Sequence, residues 1–172
     1  MTYEEIVNFH GHECPGLATG YRMALAGMDA LRSLRAEDEE LVAIVENDAC
    51  GVDALQCVTG CTFGKGNLIF RDYGKQVYTL YSRSARVAVR VVFHGKGAPP
   101  DLDRASRRKW ILEAPAEDML SVARVEIEAP DRARIRKSVS CAECGERVME
   151  TRTRRVGDRA LCIPCAEIRE KA

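Results

Sequence analysis

Eight cysteines and three histidines are the residues of this chain best suited to chemistry, and the cysteines fall into two sets. The C-terminal set is Cys141-x-x-Cys144 and Cys162-x-x-Cys165, with seventeen residues between the pairs. Zinc takes four thiolates in a tetrahedron, and each C-x-x-C turn places two sulfurs about 3.5–4 Å apart on one side of the ion. Residues 145–161 are long enough for a β-hairpin that returns the second pair opposite the first, with Gly145 and Gly157-Asp158 supplying turns. The spacing predicts one structural zinc on Cys141, Cys144, Cys162 and Cys165, and a module this small depends on its metal to fold. Four cysteines leave no open coordination position, so the module is structural or serves docking rather than catalysis. Paired disulfides and a rubredoxin-like iron site are the competing readings.

The N-terminal set is looser. His10, His12 and Cys14 lie within five residues, and Cys50, Asp53, Cys57 and Cys61 follow on and around a short helical segment. Cys50 and Cys57 are seven apart and Cys57 and Cys61 four apart, so the three can share one helix face. A transition metal or a reactive thiol is expected between that face and the His-Gly-His-x-Cys loop, with His12, Cys14 and either Cys57 or Cys61 innermost. Singly, a cysteine is more often an apolar filler and a histidine a hydrogen-bonded core residue. Two of the three histidines in one loop favour a site. Gly60-Cys61-Thr62-Phe63-Gly64-Lys65-Gly66-Asn67 resembles an anion-binding loop, whose backbone N–H groups approach a small anionic ligand while Lys65 adds charge. It lacks the Ser or Thr after lysine of a nucleotide P-loop, and a strained loop without ligand is the alternative.

The elements that must hold these groups are readable in outline. Thr2 and Glu5 form a capping-box pattern that starts a short helix toward Phe9. Gly11, Pro15 and Gly16 then break it, leaving His10, His12 and Cys14 on an irregular loop. Apolar residues at spacings of three and four predict an amphipathic helix from Leu17 to Leu34. Leu41–Val45 reads as a buried strand and Val52–Thr59 as a helix. Residues 68–70, 76–81 and 85–93 read as strands, with Tyr73-Gly74-Lys75 as a hairpin turn. A basic surface helix over 103–112 closes at Pro115, and a strand follows over 122–127. Residues 129–140 are poor in apolar side chains, which places a boundary between a core domain of residues 1–130 and a four-cysteine zinc-ribbon domain of residues 131–172. The fold class expected is α+β: an antiparallel-rich sheet with helices, plus a treble-clef or ribbon-like zinc module.

Apolar residues make up 46% and charged residues 30%, as in soluble globular proteins. The longest apolar runs fall far short of the roughly 18 residues of a membrane span, and the N-terminus has neither the basic nor the apolar region of a signal peptide. A cytoplasmic protein is expected, whose thiols serve metal or nucleophilic chemistry rather than disulfides. Acidic and basic residues balance at 26 each, but the first 60 residues carry 11 acidic and 3 basic side chains.

Two long motifs, Phe9-His-Gly-His-Glu-Cys-Pro-Gly-Leu-Ala-Thr-Gly-Tyr-Arg-Met-Ala24 and Cys50-Gly-Val-Asp-Ala-Leu-Gln-Cys-Val-Thr-Gly-Cys-Thr-Phe-Gly-Lys-Gly-Asn-Leu68, closely resemble the family of formylmethanofuran dehydrogenase E-type subunits. The resemblance implies an α+β core, usually a homodimer, whose histidine and cysteine motifs converge on a metal or active site. It implies site roles for His10, His12, Cys14, Cys50, Asp53, Gln56, Cys57, Cys61 and Lys65. It also implies association with other subunits of a molybdenum or tungsten dehydrogenase in one-carbon metabolism and methanogenesis. No motif here resembles the pterin or iron–sulfur subunits that perform the redox step. Two other readings compete: a thiol-dependent enzyme using Cys14 or Cys61 beside His12 and Lys65, and nucleic-acid binding through the ribbon arginines. The latter ranks last because the ribbon has no aromatic side chains for stacking.

Overall fold

The computed structural model describes residues 1–32 and 35–171; Leu34, the last apolar position of the expected second helix, lies outside the described residues. The chain divides into two compact units, Met1–Ala133 and Arg134–Ala172. Among the described residues no helix is long and apolar enough to cross a membrane.

In the first unit, Thr2 caps α1 (Tyr3–His10): its hydroxyl accepts from Glu5 N–H at 3.2 Å and its own N–H donates to the Glu5 carboxylate at 2.6 Å. This is the reciprocal pair that the Thr-x-x-Glu spacing predicts. Gly11, at φ +91°, ends the helix in a left-handed turn that a side chain would strain. α2 (Pro15–Leu31) follows, with Cys14 as its N-cap.

β1 (Leu41–Val45) is buried along its whole length, as its continuous apolar run predicts. A central strand needs hydrogen-bond partners on both edges. β2 (Leu68–Phe70) takes one edge in parallel, after a crossover through α3 (Gly51–Thr59), and β3 (Val77–Ser82) takes the other antiparallel. The hairpin expected at Tyr73-Gly74-Lys75 is therefore not formed. Both strands pair with β1 rather than with each other, and Tyr73 and Lys75 donate their N–H groups to the Glu46 carbonyl just past the end of β1. β4 (Val87–Phe93) and β5 (Leu120–Val125) extend the sheet antiparallel, giving the order β2-β1-β3-β4-β5.

α2 lies on this sheet through small residues: a Cβ at Gly27 would fall 2.7 Å from Leu80 Cδ1. Leu17, Met23, Leu41, Leu55, Leu80 and Val89 fill the space between and are fully or almost fully buried. α4 (Arg104–Glu113) is capped by Asp103, and the Arg22 guanidinium of α2 collects the carbonyls of Ile111, Leu112 and Ala114 at its C-terminal end.

The second unit holds two small antiparallel hairpins, β6 (Ser138–Ser140) with β7 (Arg147–Met149) and β8 (Thr153–Val156) with β9 (Arg159–Cys162), then α5 (Ile163–Glu170). The second hairpin turns at Gly157, as expected, whereas the closing helix is not anticipated by the sequence pattern. The apolar core of this unit is four residues, Cys141, Leu161, Cys162 and Ala166, half of them candidate ligands. An α+β core and a small C-terminal unit of two hairpins, a helix and a four-cysteine cluster, consistent with the expected zinc ribbon, are thus the observed architecture.

Candidate functional site

α2 and α3 cross at their N-terminal ends with glycine against glycine. A Cβ at Gly20 would fall 2.1 Å from the Gly51 carbonyl oxygen, and one at Gly16 would lie 3.5 Å from Cys50 Cβ and 3.8 Å from Cys14 Sγ. Only the absence of side chains lets the helices close, and that closeness brings Cys14 and Cys50 together. Both cysteines are helix N-cap residues, but only Cys14 uses its sulfur as the cap. Cys14 Sγ accepts the Leu17 N–H at 3.3 Å.

Ligand atoms of His10, His12, Cys14 and Cys50 all lie within 4.8 Å of one another. The His10 and His12 rings pack with centroids 4.4 Å apart. His10 Nδ1 donates to the Asp53 carboxylate at 2.6 Å, and the other Asp53 oxygen receives the Gln56 amide at 3.4 Å. A carboxylate on Nδ1 fixes the tautomer in which Nε2 carries a lone pair. That Nε2 is buried and has no hydrogen-bond partner. An uncompensated buried nitrogen is costly unless a ligand completes it. The residues present thus fit a zinc-class metal, whose preferred donors are imidazole nitrogen and thiolate sulfur.

Two phenols border the cluster. The Tyr78 hydroxyl is buried without a partner and fills the space a side chain at Gly51 would take, 2.6 Å from that Cβ position. Burial, then the charges of Asp53 and Cys50, hold this phenol above its ordinary range. The Tyr3 hydroxyl is likewise unpartnered, pushed up to about 12 by burial and by Glu13 and Cys14. Burial, then hydrogen bonding to Cys14, raises the Cys50 thiol as well. A cavity of about 410 Å³ opens beside the cluster, its lining including His10 and Cys50, the carboxylates Asp48 and Asp53, and the aromatic rings of Phe63 and Phe70.

The other expected residues go elsewhere. Gly60, at φ +74°, ends α3 after Thr59, so Cys61 leaves the helix and the four-residue spacing from Cys57 no longer implies a common face. Cys61 is fully buried, its thiol donates to the Leu41 carbonyl at 3.4 Å, and burial pushes it up to about 11. Cys57 is buried too and raised by burial. Neither sulfur belongs to the converging group, and Cys50 stands where one of them was expected. Lys65 Nζ donates to the carbonyls of Glu37 at 3.2 Å and Ala36 at 3.4 Å, not to an anion site. Asn67 is fully buried and ties Thr62 N–H to the carbonyls of Asp38 and Leu41, while Gly64 is exposed. Several of the loop's donors are thereby spent: Thr62 N–H on Asn67, Lys65 N–H on the Thr62 hydroxyl and Gly66 N–H on the Phe63 carbonyl.

In the second unit, the ligand sulfurs of Cys141, Cys144, Cys162 and Cys165 also lie within 4.8 Å of one another. Backbone N–H groups of Cys162, Cys144 and Glu143 aim at Cys141 Sγ and lower that thiol to about 6. A sulfur so cradled is ready as a thiolate ligand.

Residues 9–151 match the family model described as "FmdE, Molybdenum formylmethanofuran dehydrogenase operon". The chain belongs to the FmdE family. Residues 134–171 match a second model, the prokaryotic dksA/traR C4-type zinc finger, which agrees with the sulfur quartet. A solved FmdE-like protein of the tungsten formylmethanofuran dehydrogenase type, from Syntrophus aciditrophicus, is similar at 27% identity and a TM-score of 0.70, covering 96% of this chain and 92% of that one. A curated relative from Archaeoglobus fulgidus, described as a probable S-adenosyl-L-methionine-binding protein, is 32% identical over 92% of this chain. The chain spans about half the length of that relative, 50%.

Within this FmdE-family core, sequence reasoning underweighted Cys50 and missed both tyrosines. The signal for Cys50 was present in Gly16, Gly20 and Gly51, whose small size licenses a close helix crossing at that point. No sequence pattern points to Tyr78, which reaches the site from β3 only through the tertiary fold.

Proposed function

We propose that the core is a metal centre in which His10 Nε2, His12, Cys14 and Cys50 hold a divalent transition metal, and that the adjoining cavity receives the molecule on which the protein acts. The observation that carries this reading is the buried, unpartnered His10 Nε2, on a ring held by Asp53 through Nδ1 and within a group of four donors that lie within 4.8 Å of one another. Where an incoming ligand takes the place of His12, the metal would supply Lewis acidity for that ligand's lone pair. Asp53, backed by Gln56, holds the His10 tautomer. Tyr78 stays protonated, an unpaired phenol that feels the charge of Cys50. His12 is the exposed member of the set, so the position it fills is the one an incoming ligand reaches.

The C-terminal quartet carries structural zinc and serves docking, the two units fold independently, and the chain pairs as a cytoplasmic homodimer accessory to a formylmethanofuran dehydrogenase. The family match supports that association. Cys61 as a nucleophile finds no support, because a nucleophile needs a thiolate within reach of substrate and Cys61 has neither.

Elemental analysis of anaerobically purified protein tests the centre. Two metals per chain are expected for the wild type and one for His10→Ala/Cys50→Ser; one metal in both removes the centre. A second reading draws on the archaeal relative: the cavity holds S-adenosyl-L-methionine, with Phe63 or Phe70 against the adenine. The size and aromatic wall of the cavity favour it. Equilibrium dialysis with the labelled compound decides.

A further inference from the structure

Charge and shape at the cavity say more about its occupant than the family does. Two thiolates cancel the charge of a divalent ion, and two neutral imidazoles add none. The loaded centre is therefore neutral, and the cavity keeps the full negative charge of Asp48 and Asp53. No lysine or arginine is among the residues lining it. The cation expected here from the sequence, Lys65, is turned onto backbone carbonyls of residues 36 and 37. Phe63 is 79% and Phe70 46% exposed, unusually open for phenylalanine, and both flank the cavity. Aromatic faces carry negative potential and attract cations and flat rings.

We infer that the metal-loaded cavity selects an organic cation bearing a flat ring, with the ring against Phe63 and Phe70 and the positive charge toward Asp48 and Asp53. Anionic ligands of the same shape are rejected, the reverse of what a glycine-rich loop with a lysine suggests. This selection rests on the metal centre proposed above, since an unloaded set of thiols and imidazoles would carry a different charge.

One ring in three charge states isolates the effect: 1-methylnicotinamide (cation), nicotinamide (neutral) and nicotinate (anion), titrated by calorimetry or by ¹H–¹⁵N chemical shifts into the full-length, zinc-loaded protein. The expected order is cation, neutral, anion, with about tenfold or more between the extremes at low salt and a smaller spread at high salt. Asp48→Asn, an exposed position outside the ligand set, should narrow that spread without changing metal content. Equal or reversed affinities, or no binding by any of the three at millimolar concentration, overturns the selection. Metal content measured on the same sample separates the two failures. Two metals with the wrong order sinks the charge selection alone, and one metal per chain sinks the centre with it.

Discussion

The two cysteine sites of this chain are built in opposite ways. At the C-terminus, ligands come in C-x-x-C pairs from local turns, and the buried core of that unit is little more than the ligands themselves. At the N-terminus, Cys14 and Cys50 come from separate helices and meet because Gly20 and Gly51 let those helices touch. At the first site the clustered sulfurs are themselves much of what is buried. The second is assembled by the packing of two helices, with His12 as its exposed member and a cavity beside it. A metal that makes a fold leaves no room for chemistry, whereas a fold that makes a metal site can leave some.

The largest expected effect breaks the C-terminal site. Cys141→Ser should unfold residues 134–171 outright, because structural zinc contributes about 10–16 kcal/mol in such modules. Amide dispersion should collapse there while residues 1–133 keep theirs; loss of structure in the core as well would contradict independent folding. Next, Gly20→Ala drives a methyl group into the Gly51 backbone, at a cost of about 1–3 kcal/mol or more. The expected result is a lower melting midpoint for the core and loss of its metal with ribbon zinc retained. A variant that keeps both metals and its midpoint would show that the helix crossing does not build the site.

The pH dependence of Cys61 is of intermediate size. Its folded thiol titrates near 11, above its reference value of 9.0, because burial disfavours the thiolate. Between those values the unfolded chain releases a proton that the folded chain retains, so stability falls as pH rises from about 9 to 11, by roughly 2–3 kcal/mol. Cys61→Ala should flatten that limb of a urea-midpoint profile; an unchanged slope would rule out this thiol as its source. Asp53→Asn should weaken core metal about 10–100-fold, measured by competition with a chelator, and leave ribbon zinc untouched. The smallest effect belongs to Tyr78→Phe. Removing an unpartnered hydroxyl should leave the metal-free protein as stable or slightly more so, yet shift the thiolate charge-transfer band of a cobalt-loaded core. An unmoved band would mean the phenol ignores Cys50.

Legibility in the sequence followed the range of the interaction. The Thr2/Glu5 cap, the buried β1 run, the α4 boundaries and the paired C-x-x-C spacing all depend on residues within one or two turns of each other, and all were readable. The β2–β3 hairpin was misread because Tyr73-Gly74-Lys75 marks a reversal without naming the partner. Cys57 and Cys61 were misplaced because helical spacing holds only while the helix lasts, and Gly60 stops it between them.

The sequence by itself determined the chemistry available here: four thiols spaced for zinc, a His-Gly-His-x-Cys loop, and glycines that permit close approach. Only the tertiary structure decided which of the remaining thiols joins the histidines, that Lys65 and Asn67 serve the backbone, and that a cavity with two aspartates in its lining adjoins the group. The reason is physical. Local spacing fixes directions within one element, but a coordination point shared by two helices depends on how closely those helices pack, a distance that no single segment specifies.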